Sequence, residues 1–214
     1  MLQIVPGIFV NTENNLNGLI GIAKTFSKEI HIDVADGDFV STTSVGIEPV
    51  QKLAPHNEYE FNLHLMTFLT KEGLISWSET AASRIFVYAN ALRNLEFEEA
   101  FRIIESAGKR SGLVIEPEQS VSELEEYIKL VDEVMIMGVH SGKSGQQFIG
   151  GVLPKLGQVR AIRRDVRIGV DGGVNVETVR RLQGFDFAVA SSAIFGGEPQ
   201  KGFNDLTILA KSIS

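Results

Sequence analysis

Residues 166–190 read VRIGVDGGVNVETVRRLQGFDFAVA and alternate between two kinds of segment. Two short runs rich in Val, Ile and Phe, at 166–170 and 185–190, enclose a longer amphipathic segment at 176–182. Short apolar runs are typical of strands buried on both faces of a parallel sheet, and helical spacing between them indicates a covering helix. The stretch is therefore predicted to form a strand, a helix and a second, parallel strand.

The same alternation continues along the whole chain. Strands are predicted at residues 2–6, 29–34, 60–65, 84–88, 112–115, 133–137, 166–170 and 185–190. Helices are predicted at residues 15–27, 47–53, 71–79, 97–107, 121–130, 151–163, 176–182 and 204–213. Eight strands alternating with eight helices, without a linker or composition break, predict an α/β fold: a closed (β/α)8 TIM barrel that spans residues 1–214 as a single domain. An open doubly wound sheet is the alternative, and the regularity of the units disfavours it.

Two polar residues are predicted to begin helices. Ser120 stands three positions before Glu123, which is the spacing of a capping box. Asn175 precedes a segment that carries Glu177 in its first turn, as is typical of a helix N-cap. Both side chains are expected to accept hydrogen bonds from backbone amides of the turn that follows.

Composition restricts the classes of partner. The 214 residues carry a formal net charge of −7 and no cysteine. An acidic surface without a basic patch argues against a nucleic-acid or membrane partner, and the lack of cysteine excludes disulfides and cysteine-based zinc sites. The chain also lacks both a basic, apolar leader and a run of about 18 apolar residues. A soluble, cytoplasmic protein is expected.

Ionisable residues interrupt three of the apolar strands. His31 and Asp33 lie in the second predicted strand, His64 lies in the third, and Asp171 follows the seventh. Residues two apart on a strand share a face, and the ends of barrel strands form the active-site mouth. A buried carboxylate is costly unless it is paired or bound to a cation. One such residue is commonly structural, but two imidazoles and two carboxylates together predict a site for a divalent transition metal.

Glycine-rich turns follow the last three predicted strands, at residues 138–146, 171–174 and 191–197. Glycine lets backbone amides approach an oxyanion closely, and the loops after strands 7 and 8 of such barrels frequently bind phosphate. Plain tight turns are the alternative for any one of these loops. The residues predicted to contact a phosphorylated substrate are His140, Gly142, Lys143, Ser144, Gly145, Gly172, Gly173, Ser191 and Ser192.

Three segments resemble the signature segments of the ribulose-phosphate 3-epimerase family. They are residues 31–40 (HIDVADGDFV), 64–66 (HLM) and 170–173 (VDGG), and the likeness extends over nearly the whole chain. The resemblance implies a ribulose-phosphate-binding barrel of the pentose phosphate pathway that interconverts D-ribulose 5-phosphate and D-xylulose 5-phosphate. It also implies a homo-oligomer.

The resemblance assigns roles to particular residues. It implies one divalent metal ion bound by His31, Asp33, His64 and Asp171, with zinc, iron(II), manganese and cobalt all suited to these ligands. It implies that Asp33 and Asp171 are the catalytic acid and base, which transfer protons on opposite faces of a metal-stabilised enediolate. Met66 and Met137 match methionines near the reacting centre, although methionine is also common as core filler.

The chain departs from the family pattern around the substrate. A substrate-contacting serine is replaced by Gly7, and a histidine common after strand 4 is absent where Tyr88 stands. The other departures are Ala35 for methionine, Ser41 for proline, Gly138 for serine, and HSGKSG at 140–145 for the loop NPGFGG. These changes leave two alternatives open: an epimerase for another ketose phosphate, such as a hexulose 6-phosphate, and a non-catalytic sugar-phosphate-binding descendant. A barrel decarboxylase or aldolase is disfavoured, because no predicted strand interior contains the lysine that such enzymes use.

Overall fold

Eight parallel strands close into a barrel in the computed structural model, which describes residues 1–53, 58–143 and 145–213. The strands are β1 (Gln3–Ile8), β2 (Glu29–Ala35), β3 (Glu60–Met66), β4 (Arg84–Val87), β5 (Arg110–Ile115), β6 (Glu133–Met137), β7 (Arg167–Asp171) and β8 (Phe187–Ala190). Each strand pairs with the next along the chain, and β8 pairs with β1 from Gln3 opposite Phe187 to Pro6 opposite Ala190. The predicted closed barrel is confirmed, and the open sheet is excluded.

Helices surround this barrel. They are α1 (Glu13–Ala23), α2 (Ile47–Gln51), α3 (Lys71–Ser78), α4 (Phe97–Ser106), α5 (Glu125–Ile128), α6 (Lys155–Ile162), α7 (Ser192–Phe195) and α8 (Pro199–Ser212). One apolar layer packs between strands and helices, and a second layer, which includes Phe86, Met135 and Phe187, fills the barrel interior. Among the described residues no helix is both long enough and apolar enough to cross a bilayer.

Two of the predicted helices contain little or no α-helix in the structure. Over 176–182 there is only a 3-10 turn at Val179–Arg181, and over 121–130 a 3-10 turn at Val121–Leu124 precedes the short α5. In the first segment, Asn175 Oδ1 accepts hydrogen bonds from the amides of Glu177 and Thr178, as predicted for a cap. The β-branched residues that follow have a weak helix propensity, and the turn ends.

The capping box predicted at Ser120 is wrong. Its side chain makes no cap hydrogen bond, and Ser120 Oγ instead lies 2.8 Å from Ser122 Oγ. Serine hydroxyls readily bond to nearby polar groups, and here this local contact replaces the bond to the helix amide.

Charged side chains fill the end of the barrel where the strands begin. Glu133 receives hydrogen bonds from Arg84 Nε at 2.6 Å and from Arg167 Nη1 at 2.7 Å. Glu29 receives one from Asn62 Nδ2 at 2.7 Å and one from Arg167 Nη2 at 3.2 Å. These five residues are called the N-terminal charge cluster. Because each buried carboxylate is paired, the cluster closes this end without an isolated charge.

Candidate active site

The four residues predicted to bind a metal come together at the opposite end of the barrel. His31 and Asp33 are two apart on β2, and strand pairing places His64 of β3 directly opposite Asp33. Asp171 is the last residue of β7. One ligand atom from each residue can be chosen so that all four lie within 4.8 Å of one another. The alternation of side chains along the strands therefore directs all four groups to a single point.

The two histidines lie between the two carboxylates. His64 Nδ1 is 2.8 Å from Asp33 Oδ1 and 3.4 Å from Asp171 Oδ2. His31 Nε2 is 3.5 Å from Asp33 Oδ1 and 3.8 Å from Asp171 Oδ2. These distances bring every carboxylate within reach of both imidazoles.

The charges at this point shift the ionisation of their neighbours. Burial alone would raise the pKa of Asp33, but the imidazoles of His31 and His64 beside it outweigh burial and hold that pKa far below its ordinary value. Burial alone would lower the pKa of His64, but the hydrogen bonds to Asp171 and Asp33 raise it to about 9. The carboxylates thus favour a positive charge at this position.

These residues fit a divalent cation. His31 is fully buried, and neither of its ring nitrogens has a hydrogen-bond partner among the described residues. An unpaired buried imidazole nitrogen is unfavourable unless its lone pair is used. Two imidazoles and two carboxylates around one point suit a divalent transition metal, and the group could therefore hold one.

A pocket of about 570 Å³ opens above this cluster. This volume includes space that is open to solvent at the mouth of the pocket. Thirteen of the residues predicted for the site line it: Asp33, His64, Met66, Met137, His140, Gly142, Lys143, Gly145, Asp171, Gly172, Gly173, Ser191 and Ser192. The turns after β6, β7 and β8 therefore share one wall of the pocket, while the charged groups lie at its floor.

The turn after β7 needs glycine. Gly173 has a φ of +70°, which side chains rarely adopt, and a Cβ there would lie 2.9 Å from the backbone nitrogen of Phe148. The turn can therefore pack directly against the loop after β6. A hydrogen bond from the Thr42 hydroxyl to the Gly142 carbonyl ties the loop after β2 to the same loop from the other side.

Two predicted site residues that the structure describes do not line the pocket. His31 lies behind the pocket wall, and Gly7 packs against Val189 and Ser191 rather than lining the pocket. Ser144 lies outside the described residues. His140 is at the rim, where its side chain is 61% exposed and its Nδ1 is 3.4 Å from Glu118 Oε1.

The sequence analysis missed three residues that connect to this site. His64 Nε2 lies 2.6 Å from the Tyr88 hydroxyl, which is 2.5 Å from Ser141 Oγ. Ser141 in turn lies next to the carboxyl of Glu116, and burial raises the pKa of that carboxyl. Tyr88 and Glu116 directly follow β4 and β5. The strand-end rule makes Tyr88 and Glu116 candidates for this end of the barrel, but it does not predict their contacts with Ser141.

Comparison with known proteins places the chain in a family. The model of the ribulose-phosphate 3-epimerase family matches residues 3–195. The ribulose-phosphate 3-epimerase of Bacillus subtilis (strain 168) is 31% identical over 209 residues, covering 94% of this chain and 95% of the relative. That of Serratia marcescens is 32% identical over 174 residues, covering 78% and 82%.

Solved structures share the fold at much lower identity. The 3-keto-L-gulonate-6-phosphate decarboxylase from Vibrio cholerae superimposes with a TM-score of 0.75 at 14% identity, covering 100% of this chain and 99% of that one. This structural likeness supports the barrel fold alone. The family match, by contrast, is a similarity of sequence over residues 3–195. The chain belongs to the ribulose-phosphate 3-epimerase family, and it is therefore a carbohydrate epimerase, a class of isomerase.

Proposed function

We propose that the chain is a metal-dependent ketose-phosphate 3-epimerase that interconverts D-ribulose 5-phosphate and D-xylulose 5-phosphate. The observation that carries the proposal is the convergence of His31, Asp33, His64 and Asp171, with ligand atoms within 4.8 Å of one another, at the base of a pocket that three of them, Asp33, His64 and Asp171, line. These four residues would hold the divalent ion. Their mixed nitrogen and oxygen donors suit zinc, iron(II), manganese and cobalt alike.

Asp33 and Asp171 are the proposed acid and base. They come from β2 and β7, which are separated around the barrel by β1 and β8. The carboxylates can therefore approach a substrate from different sides. One carboxylate removes the proton from C3, and the other, protonated, donates a proton to the opposite face of the same carbon. The roles exchange when the reaction runs backwards.

The negative charge that develops during this exchange needs stabilisation. Loss of the C3 proton moves charge onto the oxygen of the neighbouring C2 carbonyl and gives an enediolate. A divalent ion held by these four residues would supply the compensating positive charge. His31 and His64 hold ring nitrogens toward that position, and both side chains are fully buried.

The phosphate is proposed to bind at the wall formed by the turns after β6, β7 and β8. Gly172 and Gly173 line this wall, and the short helix α7 begins there at Ser192. A short extra helix after the last strand is a frequent part of phosphate sites in these barrels. Gly142, Gly145 and Ser191 belong to the same wall, and Lys143 and His140 add positive or donor groups at the rim. Met66 and Met137 also line the pocket.

One observation favours a second candidate, an epimerase for another ketose phosphate such as a hexulose 6-phosphate. A Cβ at Gly7 would lie 2.6 Å from Cγ1 of Val189, so the serine of the family pattern does not fit here. Val189 lines the pocket, and this part of the wall is therefore apolar. A decarboxylase or aldolase finds no such support, since no lysine occurs in any of the strands β1–β8.

The test is solvent exchange at C3. Purified protein loaded with a divalent metal is incubated with each ketose phosphate in D2O, and deuterium at C3 is followed by NMR. We expect exchange with D-ribulose 5-phosphate, loss of exchange after chelation, and a reduction of about a hundredfold to ten-thousandfold in Asp33→Asn and Asp171→Asn. Asp165→Asn, which alters a side chain that is 82% exposed, is the matched control and should retain full activity.

The outcomes separate the candidates. Exchange with hexulose 6-phosphate but not with the pentulose phosphates would select the second candidate. No exchange with any ketose phosphate, in protein that binds the metal, would refute the catalytic proposal and leave a sugar-phosphate-binding protein.

A further inference from the structure

A chain of hydrogen bonds leads away from the candidate metal site through residues that the epimerisation scheme does not use. His64 Nε2 is 2.6 Å from the Tyr88 hydroxyl, and this hydroxyl is 2.5 Å from Ser141 Oγ. Ser141 lies next to the Glu116 carboxyl, and its hydroxyl and backbone amide partly offset the rise in the pKa of that carboxyl that burial causes. Tyr88, Ser141 and Glu116 are called the Tyr88 relay.

The direction of these hydrogen bonds follows from the chemistry of imidazole. A neutral imidazole has one donor nitrogen and one acceptor nitrogen. His64 Nδ1 faces Asp33 and Asp171, so it is the nitrogen that would give its lone pair to a cation. Nε2 must then carry the hydrogen and donate it to the Tyr88 oxygen. The Tyr88 hydroxyl is left to donate to Ser141, and the Ser141 hydroxyl can then turn its hydrogen toward the neighbouring Glu116 carboxyl.

The surroundings of the relay hold it in this arrangement. His64 and Tyr88 are fully buried, and their rings stack with centroids 5.4 Å apart. The ring of Phe39 covers Tyr88 at a centroid distance of 4.8 Å. At the far end, Lys155 Nζ donates a hydrogen bond of 3.1 Å to the backbone carbonyl of Glu116 and so fixes it to α6. A buried hydrogen bond that water cannot replace orients its partners strongly.

We propose that the Tyr88 relay positions His64, keeping the hydrogen on Nε2 so that Nδ1 is presented to the divalent ion. The inference rests on the metal site of the proposed function. Outer hydrogen-bond partners of metal-binding histidines fix the tautomer and the ring orientation, and their loss typically costs about 10–100-fold in metal affinity. Because Ser141 also lines the pocket, the relay connects the loop after β6 to the ion site.

Metal affinity tests the relay. The dissociation constant for Zn²⁺ is measured by competition with a chromophoric chelator for the wild type, Tyr88→Phe, Ser141→Ala and Glu116→Gln. We expect Tyr88→Phe to weaken zinc binding about 10–100-fold and the other two to weaken it less. The double variant Tyr88→Phe/Glu116→Gln should lose no more than Tyr88→Phe, since Glu116 acts only through Tyr88. Tyr127→Phe is the matched control, because Tyr127 stacks on Phe97 away from the pocket, and it should bind as the wild type does.

A spectroscopic signature separates positioning from a general loss of structure. In zinc-loaded protein, ¹H–¹⁵N correlation spectra of the imidazoles report which nitrogen of each histidine carries hydrogen, and His64→Asn assigns the signal of His64. The wild type should show a protected Nε2–H at His64. In Tyr88→Phe this proton should move and exchange faster with solvent, while the signal of His31 persists.

Each outcome decides the question. If the wild type does not bind Zn²⁺, the proposed metal site is refuted and the relay with it. If the wild type binds Zn²⁺ and Tyr88→Phe binds it equally tightly, the relay alone is refuted. Should Tyr88→Phe fail to show a cooperative thermal transition, Ser141→Ala and Glu116→Gln decide, and wild-type affinity in both would overturn the inference.

Discussion

At the scale of single residues, Gly7 and Val189 compete for one space at the edge of the pocket. A Cβ at position 7 would lie 2.6 Å from Cγ1 of Val189, and this methyl group is on a short, branched side chain that has few ways to move. Gly7 is therefore required by its neighbour, since its φ does not lie in the left-handed region that favours glycine.

We expect Gly7→Ser to lower the free energy of unfolding by about 1–3 kcal/mol, because the extra atoms overpack the site. Gly7→Ser/Val189→Ala should recover most of this loss, since it removes the methyl group in the way. Urea denaturation of both variants measures the effect. Gly18→Ser is the control, because a Cβ there meets nothing within 4 Å. If Gly7→Ser is as stable as the wild type, Val189 and its surroundings can move to accept the added atoms, and the expectation is wrong.

The sequence alone could predict some residues of the candidate site and not others. His31, Asp33, His64 and Asp171 could be found because a polar residue within a short apolar run is conspicuous in sequence. The contact between Tyr88 and Ser141 spans 53 positions and depends on how the loop after β6 folds over β4. No local pattern encodes that contact, and tyrosine at a strand end is equally suited to a plain core position.

At the scale of elements, the loop after β6 carries the most unusual side chain of the pocket. Lys143 is exposed at the rim, on the wall where the phosphate is proposed to bind. A lysine here acts on a phosphate as a mobile point charge through solvent, so its contribution is modest and sensitive to salt.

Lys143→Ala should raise the KM for phosphorylated ketoses roughly 2–10-fold with little change in kcat, because uniform binding is lost. The increase should shrink at high ionic strength. Steady-state kinetics at two salt concentrations measure it, with Lys201→Ala, which removes an exposed lysine paired with Asp205 on α8, as the control. A fall in kcat at unchanged KM would place Lys143 in the chemistry instead.

The strands were predicted more accurately than the helices for a physical reason. A buried strand such as β6 (Glu133–Met137) needs a continuous apolar run, and its bounds were predicted correctly. Whether the turn after Asn175 continues as a helix depends on packing against its neighbours, and there only a 3-10 turn forms at Val179–Arg181. Helical periodicity in seven residues is therefore weaker information than an apolar run.

At the scale of the whole molecule, the N-terminal charge cluster ties stability to pH. Burial alone would raise the pKa of Glu29, but the charges of Arg167 and Arg84 and the hydrogen bond from Asn62 outweigh it and lower that pKa below its ordinary value of 4.5. A lowered pKa in the folded state means that the stabilisation is present above pH 4.5 and is lost as the pH falls through the folded value.

Glu29→Gln should therefore lower the free energy of unfolding at pH 7 by about 3 kcal/mol, since a buried partner of two guanidinium groups is lost. Below pH 4.5 the wild type should lose stability more steeply than this variant does. Urea denaturation between pH 3 and pH 8 compares the two slopes, and parallel curves would contradict the assignment. Glu98→Gln removes an exposed carboxylate on α4 and should change stability by less than about 0.5 kcal/mol.

The pairing of β2 with β3 sets Asp33 against His64 through the same ladder that joins Glu29 to Glu60 at the other end. A shift of β3 by one position would swing His64 out toward the helices and bring Leu63 or Leu65 to the barrel axis. The register between β2 and β3 therefore determines both the closure of the barrel and the position of His64 beside Asp33. A barrel with β3 shifted in register would be compact but inactive, because His64 would be absent from the site. Recovery of activity during refolding would therefore measure correct strand register, which compactness alone does not.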